Sequence, residues 1–276
     1  QIEFEEEVLQ IKNTWDIFSL NDKAIQADYD LITAGRKSQP IPEGTRHLHK
    51  ENIFIEEGAK INFAILNASS GPIYIGKEAE IMEGSAVRGP FAMCEYSVLK
   101  LNAKIYGATT LGPYCKVGGE VNNSVLMGYS NKGHDGFLGN SVIGEWCNIG
   151  ADSNNSNLKN NYAEVKLWDY ETGRFIKTGL QFCGLMMGDH SKCGINTMFT
   201  TGTVVGVSVN IFGSGFPRNF VPSFSWGGAS GFTEYKTNKV FEVAEVVLQR
   251  RNLVFDEKDQ KILAHVFNET KKYRNY

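Results

Sequence analysis

The stretch IGKEAEIMEGSAVRGPFAMCEYSVLKLNAKIYGATTLGPYCKVGGEV, Ile75 to Val121, places an apolar residue every six positions for eight turns: Ile75, Ile81, Val87, Met93, Leu99, Ile105, Leu111 and Val117. Neither a helix, with period 3.6, nor a plain strand, with period 2, does this. With 42% apolar residues, eight successive hits arise by chance about once per thousand starting points, so a second pattern has to decide. The fourth residue after each hit supplies it: Ala79, Ser85, Phe91, Ser97, Ala103, Thr109, Cys115 and Val121 are mostly small, as a tight corner requires. Glycine follows the hit directly at positions 76, 112 and 118. This is a hexapeptide β-helix repeat, in which each hexad makes one short strand and one corner. Three hexads close a triangular coil, and the core forms only by stacking coils.

The same six-residue spacing predicts two further blocks. The first is Phe137, Ile143 and Ile149 with corners Ser141, Cys147 and Ser153; the second is Met187, Cys193, Phe199, Val205 and Ile211. Ile55 and Ile61 suggest a less regular first coil, so the prism is expected from about residue 50 to about residue 215. Residues 13–35 carry Trp15, Phe18, Ile25 and Leu31 on one helical face, with Asn13 or Thr14 as N-cap and Gly35 as stop. Val240, Val243 and Val247, then Ile262 and Val266, predict two C-terminal helices that cap the prism or pack across a neighbouring subunit. The repeat stops between Asp152 and Gly184, where a polar Asn-rich run leads into a small hairpin turning at Glu171-Thr172-Gly173 and is read as a binding arm. The expected division is a helical connector over 1–48, a β-helix over 49–232 with an inserted loop 152–184, and C-terminal helices over 233–276.

Composition narrows the function. There are 28 basic and 31 acidic residues, net charge −3, spread along the chain, which disfavours a broad nucleic-acid surface. Five cysteines without CxxC spacing read as reduced core thiols of a cytoplasmic protein. No apolar run reaches membrane-span length, and QIEFEEEVLQ is acidic where a signal peptide is basic and then apolar. A chain that begins with Gln1 is expected to be processed or cut from a longer one. His47, His49 and His265 have no metal-ligand spacing, so no metal site is expected. Gly213-Ser214-Gly215 and Ser225-Trp226-Gly227-Gly228 lack the context of a phosphate loop and are expected to end the prism.

The segment Gly133-His134-Asp135-Gly136-Phe137-Leu138-Gly139 followed by Asn148-Ile149-Gly150-Ala151 resembles the acetyltransferase domain of the bifunctional glucosamine-1-phosphate acetyltransferase/N-acetylglucosamine-1-phosphate uridyltransferases. With GGEVNNSV and SNNSNLKNN added, essentially the whole chain resembles the C-terminal portion of the Bacteroidetes sugar nucleotidyltransferase family. That resemblance implies a left-handed parallel β-helix, a homotrimer, and acetyl-CoA bound between adjacent prisms. It also implies roles. His134 matches the catalytic histidine, and Glu120 the glutamate near it. Lys104 stands where the family has a phosphate-binding arginine, Asn122 where it has a lysine, and Phe137 where it has a tyrosine. Lys177 matches a further substrate-contacting lysine, Asn148 and Asn157 match asparagines at the acceptor and acetyl group, and Ala151 and Gly194 line the acetyl-CoA groove.

Chemistry supports the central assignment. An amine attacking a thioester must lose a proton, so a base of near-neutral pKa is needed, and histidine supplies one. A carboxylate beside it would orient the ring. Taken alone, His134 is also readable as a turn histidine satisfied by Asp135, and Asp189-His190 as a structural corner. The reading is an acetyl-CoA-dependent N-acyltransferase acting on an amino-sugar phosphate. The alternative is a non-catalytic module for trimerisation and sugar-nucleotide binding. No Gly-rich nucleotide loop is present, so this stretch by itself is not expected to act as a pyrophosphorylase.

Overall fold

The computed structural model describes residues 8–276. Three parallel sheets form the faces of a prism. The first face holds six strands from Arg46–Leu48 to Phe137–Gly139, and the pair Asn154–Asn155 and Met198–Phe199 adjoins it. The second holds nine, from Ile53–Ile55 to Phe220–Val221. The third holds ten, beginning at Lys60–Ile61 and ending in an antiparallel hairpin of Ser225–Gly228 with Gly231–Glu234. The structure is thus a mainly β parallel solenoid with helices at both ends of the sequence.

The hexad residues Ile75 to Val117 all point inward, each at most 2% exposed. Their fourth-residue partners are buried too, because residues i+4 and i+6 lie two apart on one strand and share its inner side. The third residue of many hexads turns the corner with positive φ: Glu78, Tyr96, Asn102 and Tyr114, with Gly84 among them. The phase then changes. Val121 to Leu126 and Leu138 to Ile143 are steps of five, tightened at Asn123 and Asn140 with φ of 45° and 49°. Leu138, not Phe137, therefore enters the core, and Phe137 is only half-buried. The prism also continues past residue 215 through Val221 and the strand Ser225–Gly228.

One corner carries an unbroken stack. Tyr96, Tyr114, Tyr129 and Trp146 lie face to face with centroid distances of 4.9, 4.9 and 4.1 Å, and His190 follows at 6.3 Å. All five have φ between 56° and 61°. A non-glycine residue there costs about 1–2 kcal/mol, and an aromatic pair returns about 0.5–1.5 kcal/mol, so stacking offsets much of the strain.

The helices α1 (Asp16–Ser19) and α2 (Asn21–Thr33) form where the apolar spacing predicts helix. Trp15 and Phe18 join Val125, Val142 and Met186 on the second face, and Asn21 Nδ2 donates to Ala108 O at 2.9 Å. Leu31 is exposed, because α2 extends beyond the prism surface that covers its start. The helices α3 (Thr237–Gln249) and α4 (Glu257–Glu269) lie along the aromatic corner, where Val240, Ala244, Leu248 and Leu263 cluster with Trp146 and Phe224. Of the predicted stripes, Val240 is buried and Val247 and Val266 pack against this cluster, whereas Ile262 faces solvent. The excursion from the repeat contains the hairpin Lys166–Asp169/Arg174–Lys177. Rather than standing free, it buries Val165, Leu167 and Cys183 against the second face.

His190 gives this corner a pH dependence. Burial, and then the charge of Lys192, pushes its imidazole down to about 4. Its Nδ1 is buried without a partner. The neutral ring is therefore favoured in the folded state, and stability is complete above the unfolded value near 6.5. As pH falls from about 6.5 to about 4 the unfolded chain takes up a proton that the folded chain refuses, and roughly 3 kcal/mol is lost. His190→Asn tolerates the left-handed corner and does not titrate. Melting curves between pH 7 and pH 4.5 should show a flatter decline for this variant than for the parent; parallel declines would remove His190 as the cause.

Candidate active site

A shortened corner builds the site. From the third face to the first, hexad hits normally lie six apart, but Val117 and Val121 are separated by four, with Gly118-Gly119 between them. Gly119 has φ of +72°, and a Cβ there would meet Asp135 Cα, Gly136 O and His134 O at 2.8–2.9 Å. Only glycine lets the next corner, Gly133 to Gly136, settle this closely on the coil below. His134 projects from that corner into solvent.

Two cavities meet at His134. One, of about 880 Å³, runs over the third face and is walled by Tyr129 and Trp146. The other, of about 510 Å³, lies across the corner and is lined by Gly118, Gly119, Asp135 and Asp152. His134, Lys100, Gly133 and Ala151 line both. An imidazole on that boundary can reach one group held in each cavity.

The larger cavity is strongly cationic. Lys100, Lys116 and Lys192 come from the prism, and Arg250 and Arg251 reach in from just beyond α3. Among the described residues none of the five makes an ion pair with a carboxylate. Burial, then Arg251, Lys100 and Arg250, pushes the Lys116 ammonium below its ordinary value. An ammonium depressed by its neighbours in this way marks a positive field suited to a polyanion. Asn131 Oδ1, from another lining residue, is buried without a partner.

The residues expected from the sequence fall into separate places. Lys104, Glu120 and Phe137 stand in one register row across the first face, with Asn122 two rows further along. None of the four lines either cavity. Glu120 Oε1 accepts a hydrogen bond from Tyr106 Oη at 2.5 Å, which, with burial, pushes the phenol up to about 12. Among the described residues neither Glu120 nor Asp135 hydrogen-bonds the His134 ring. Asn148 and Ala151 line the large cavity with His134. Gly194 stacks on Gly150, close enough that a Cβ on Gly150 would lie 2.4 Å from its carbonyl carbon. Asn157 Nδ2 is spent on Asn140 Oδ1 at 2.8 Å. Lys177 sits on the arm hairpin, paired with Glu164 at 3.3 Å.

Residues 1–37 match the sugar nucleotidyl transferase family. A bifunctional sugar-1-phosphate nucleotidylyltransferase/acetyltransferase of Sulfurisphaera tokodaii is 30% identical over 144 residues. That match takes in 51% of this chain, but only 35% of the relative's length. Among solved structures, a hexapeptide transferase family protein from Anaplasma phagocytophilum aligns over 84% of this chain and 92% of its own, with 13% identity and a TM-score of 0.29. An Arabidopsis UDP-N-acetylglucosamine acyltransferase aligns over 80% of each chain, with 14% identity and a TM-score of 0.32.

Sequence reasoning missed the cations and the aromatic wall. A signal exists for part of the set: Lys116, Asn131, Asn148, Lys192 and Asn210 form one register row across the third face. All five directly precede a residue that points into the core: Val117, Lys132, Ile149, Cys193 and Ile211. Arg250 and Arg251 give no such signal, because only the path of α3 brings them here. Among the described residues no helix is long and apolar enough to cross a membrane, and no group of three His, Cys, Asp or Glu is placed to hold a metal ion.

Proposed function

We propose that the chain is a hexapeptide-repeat acyltransferase that moves an acyl group, acetyl in the simplest case, from a coenzyme A thioester to the amine of an amino-sugar phosphate. The observation that carries this is the placement of His134 at the junction of two cavities, one of them lined by five cations that make no ion pair among the described residues. The phosphates of coenzyme A suit the cationic cavity, and the sugar amine approaches across the corner. The amine nitrogen attacks the thioester carbonyl as His134 takes its proton; the C–S bond then breaks, and the imidazolium returns a proton to the leaving thiolate. Tyr129 and Trp146, whose faces are taken up in the stack, present their ring edges to the rest of the carrier.

The assembly is proposed to be a homotrimer, in which a neighbouring prism covers the open side of the larger cavity. The Sulfurisphaera relative, named for both a nucleotidylyltransferase and an acetyltransferase activity, favours a sugar phosphate as acceptor. Glu120 and Lys104, near the corner on the first face, are proposed to contact that acceptor. Thiol release from acetyl-CoA, measured against a panel of amino sugars and their 1-phosphates, tests the reading. Acceptor-dependent release is expected. A folded trimer that releases no thiol with any acceptor would support the assembly module instead.

A further inference from the structure

The third face demands an aliphatic residue at position 132, where its neighbours supply Leu99, Val117, Ile149 and Cys193. The chain has Lys132, 2% exposed, inside the prism. Its Nζ donates to two backbone carbonyls, Gly118 O at 2.9 Å and His134 O at 2.8 Å. Burying an ammonium costs several kcal/mol unless its donors are used, and a well-packed aliphatic side chain avoids that cost altogether. Packing alone therefore does not explain a lysine here.

Its two partners are informative. They belong to consecutive corners, the shortened Gly118-Gly119 turn and the Gly133–Gly136 turn that rests on it. We propose that Lys132 is a positioning residue, which fixes the His134 imidazole from inside the prism by holding the His134 carbonyl inward. The claim rests on the acyltransferase reading for its kinetic consequence. The carbonyl and side chain of His134 share one α-carbon, so a carbonyl anchored in the core leaves the ring directed outward, between the cavities. Without the ammonium that carbonyl, which lies at the prism's edge, has no other donor among the described residues, and an unpaired carbonyl there turns toward water. The peptide then rotates and carries the ring with it. Burial pushes the ammonium down to about 8, while Asp135 and Asp152 oppose the shift.

Lys132→Met and Lys132→Leu fill similar space without a donor, and Lys132→Gln keeps a shorter neutral one. The expected result for the first two is a folded protein whose kcat falls about 10²-fold, the scale of a misplaced catalytic group. KM for acetyl-CoA should stay within about 3-fold, and amide exchange at residues 133–136 should accelerate. Lys132→Gln is expected to lose less. Ile81→Val, a core change in a distant coil, should leave kcat unchanged. A folded Lys132→Met with kcat within about 3-fold of the parent overturns the proposal, as does failure of all three variants to fold. If the parent itself turns nothing over, the acyltransferase reading falls. The positional claim is then decided by amide exchange, and unchanged protection at 133–136 in Lys132→Met overturns it.

Discussion

His134→Ala is expected to lower acceptor-dependent thiol release by about 10²–10⁴-fold, the range for loss of a positioned general base. Its melting temperature should remain that of the parent. Both parts follow from where the residue stands. The ring is exposed on a corner and bonds to no described residue, so its removal opens no cavity and leaves no buried group unpaired. Stability effects at such surface positions usually stay within about 0.5 kcal/mol. The parent and variant should therefore differ in kcat, while KM for acetyl-CoA changes little, because the cations rather than the imidazole are proposed to hold the carrier. A fall in kcat accompanied by an equal fall in melting temperature would instead assign His134 to the turn.

Reversing the charge at the end of α3 should act on the other parameter. Arg250→Glu combined with Arg251→Glu is expected to raise KM for acetyl-CoA by about 10- to 100-fold, since hydrogen bonds to charged groups are worth about 1.5–3 kcal/mol each. The lower part of that range reflects the exposure of Arg250 and the screening that follows. kcat should change little at saturation, because neither arginine is at the junction of the two cavities. KM of the parent should also rise between 50 and 300 mM salt, whereas that of the double variant should respond far less. Initial rates over a grid of acetyl-CoA and salt concentrations check both statements. A KM unmoved by the double reversal would place the carrier elsewhere.

The prism was legible because its signal is local and repeated. Each inward position from Ile75 to Val117 is set by residues within six of it, and one coil repeats the instruction of the last. Legibility ended where a corner changed length. Asn123 and Asn140 each remove one residue from a turn by adopting positive φ, and a six-residue count then lands on Phe137 instead of Leu138. Lys132 was hidden for a different reason: in a count of apolar residues a buried cation reads as a missed hit.

The site divides along the same line. His134, Asn148 and Ala151 belong to one contiguous motif and reach one cavity. Glu120 was expected to orient the His134 ring, but its carboxylate bonds Tyr106, a neighbour across the first face that sequence spacing does not reveal. The aromatic stack was equally hidden, because Tyr96, Tyr114, Tyr129 and Trp146 are 18, 15 and 17 residues apart. Unequal corners keep a structural period out of the sequence. Arg250 and Arg251 depend on a helix packing against that stack, a tertiary contact with no local signature.

The most direct test of the account is a crystal structure of the chain with coenzyme A and an amino-sugar 1-phosphate. The account predicts coenzyme A phosphates among Lys116, Lys192, Arg250 and Arg251, the thiol at the His134 corner, and the sugar amine within hydrogen-bond reach of the imidazole, about 2.6–3.2 Å or through one water. Coenzyme A bound on another face, or a sugar amine with no path to His134, would contradict it.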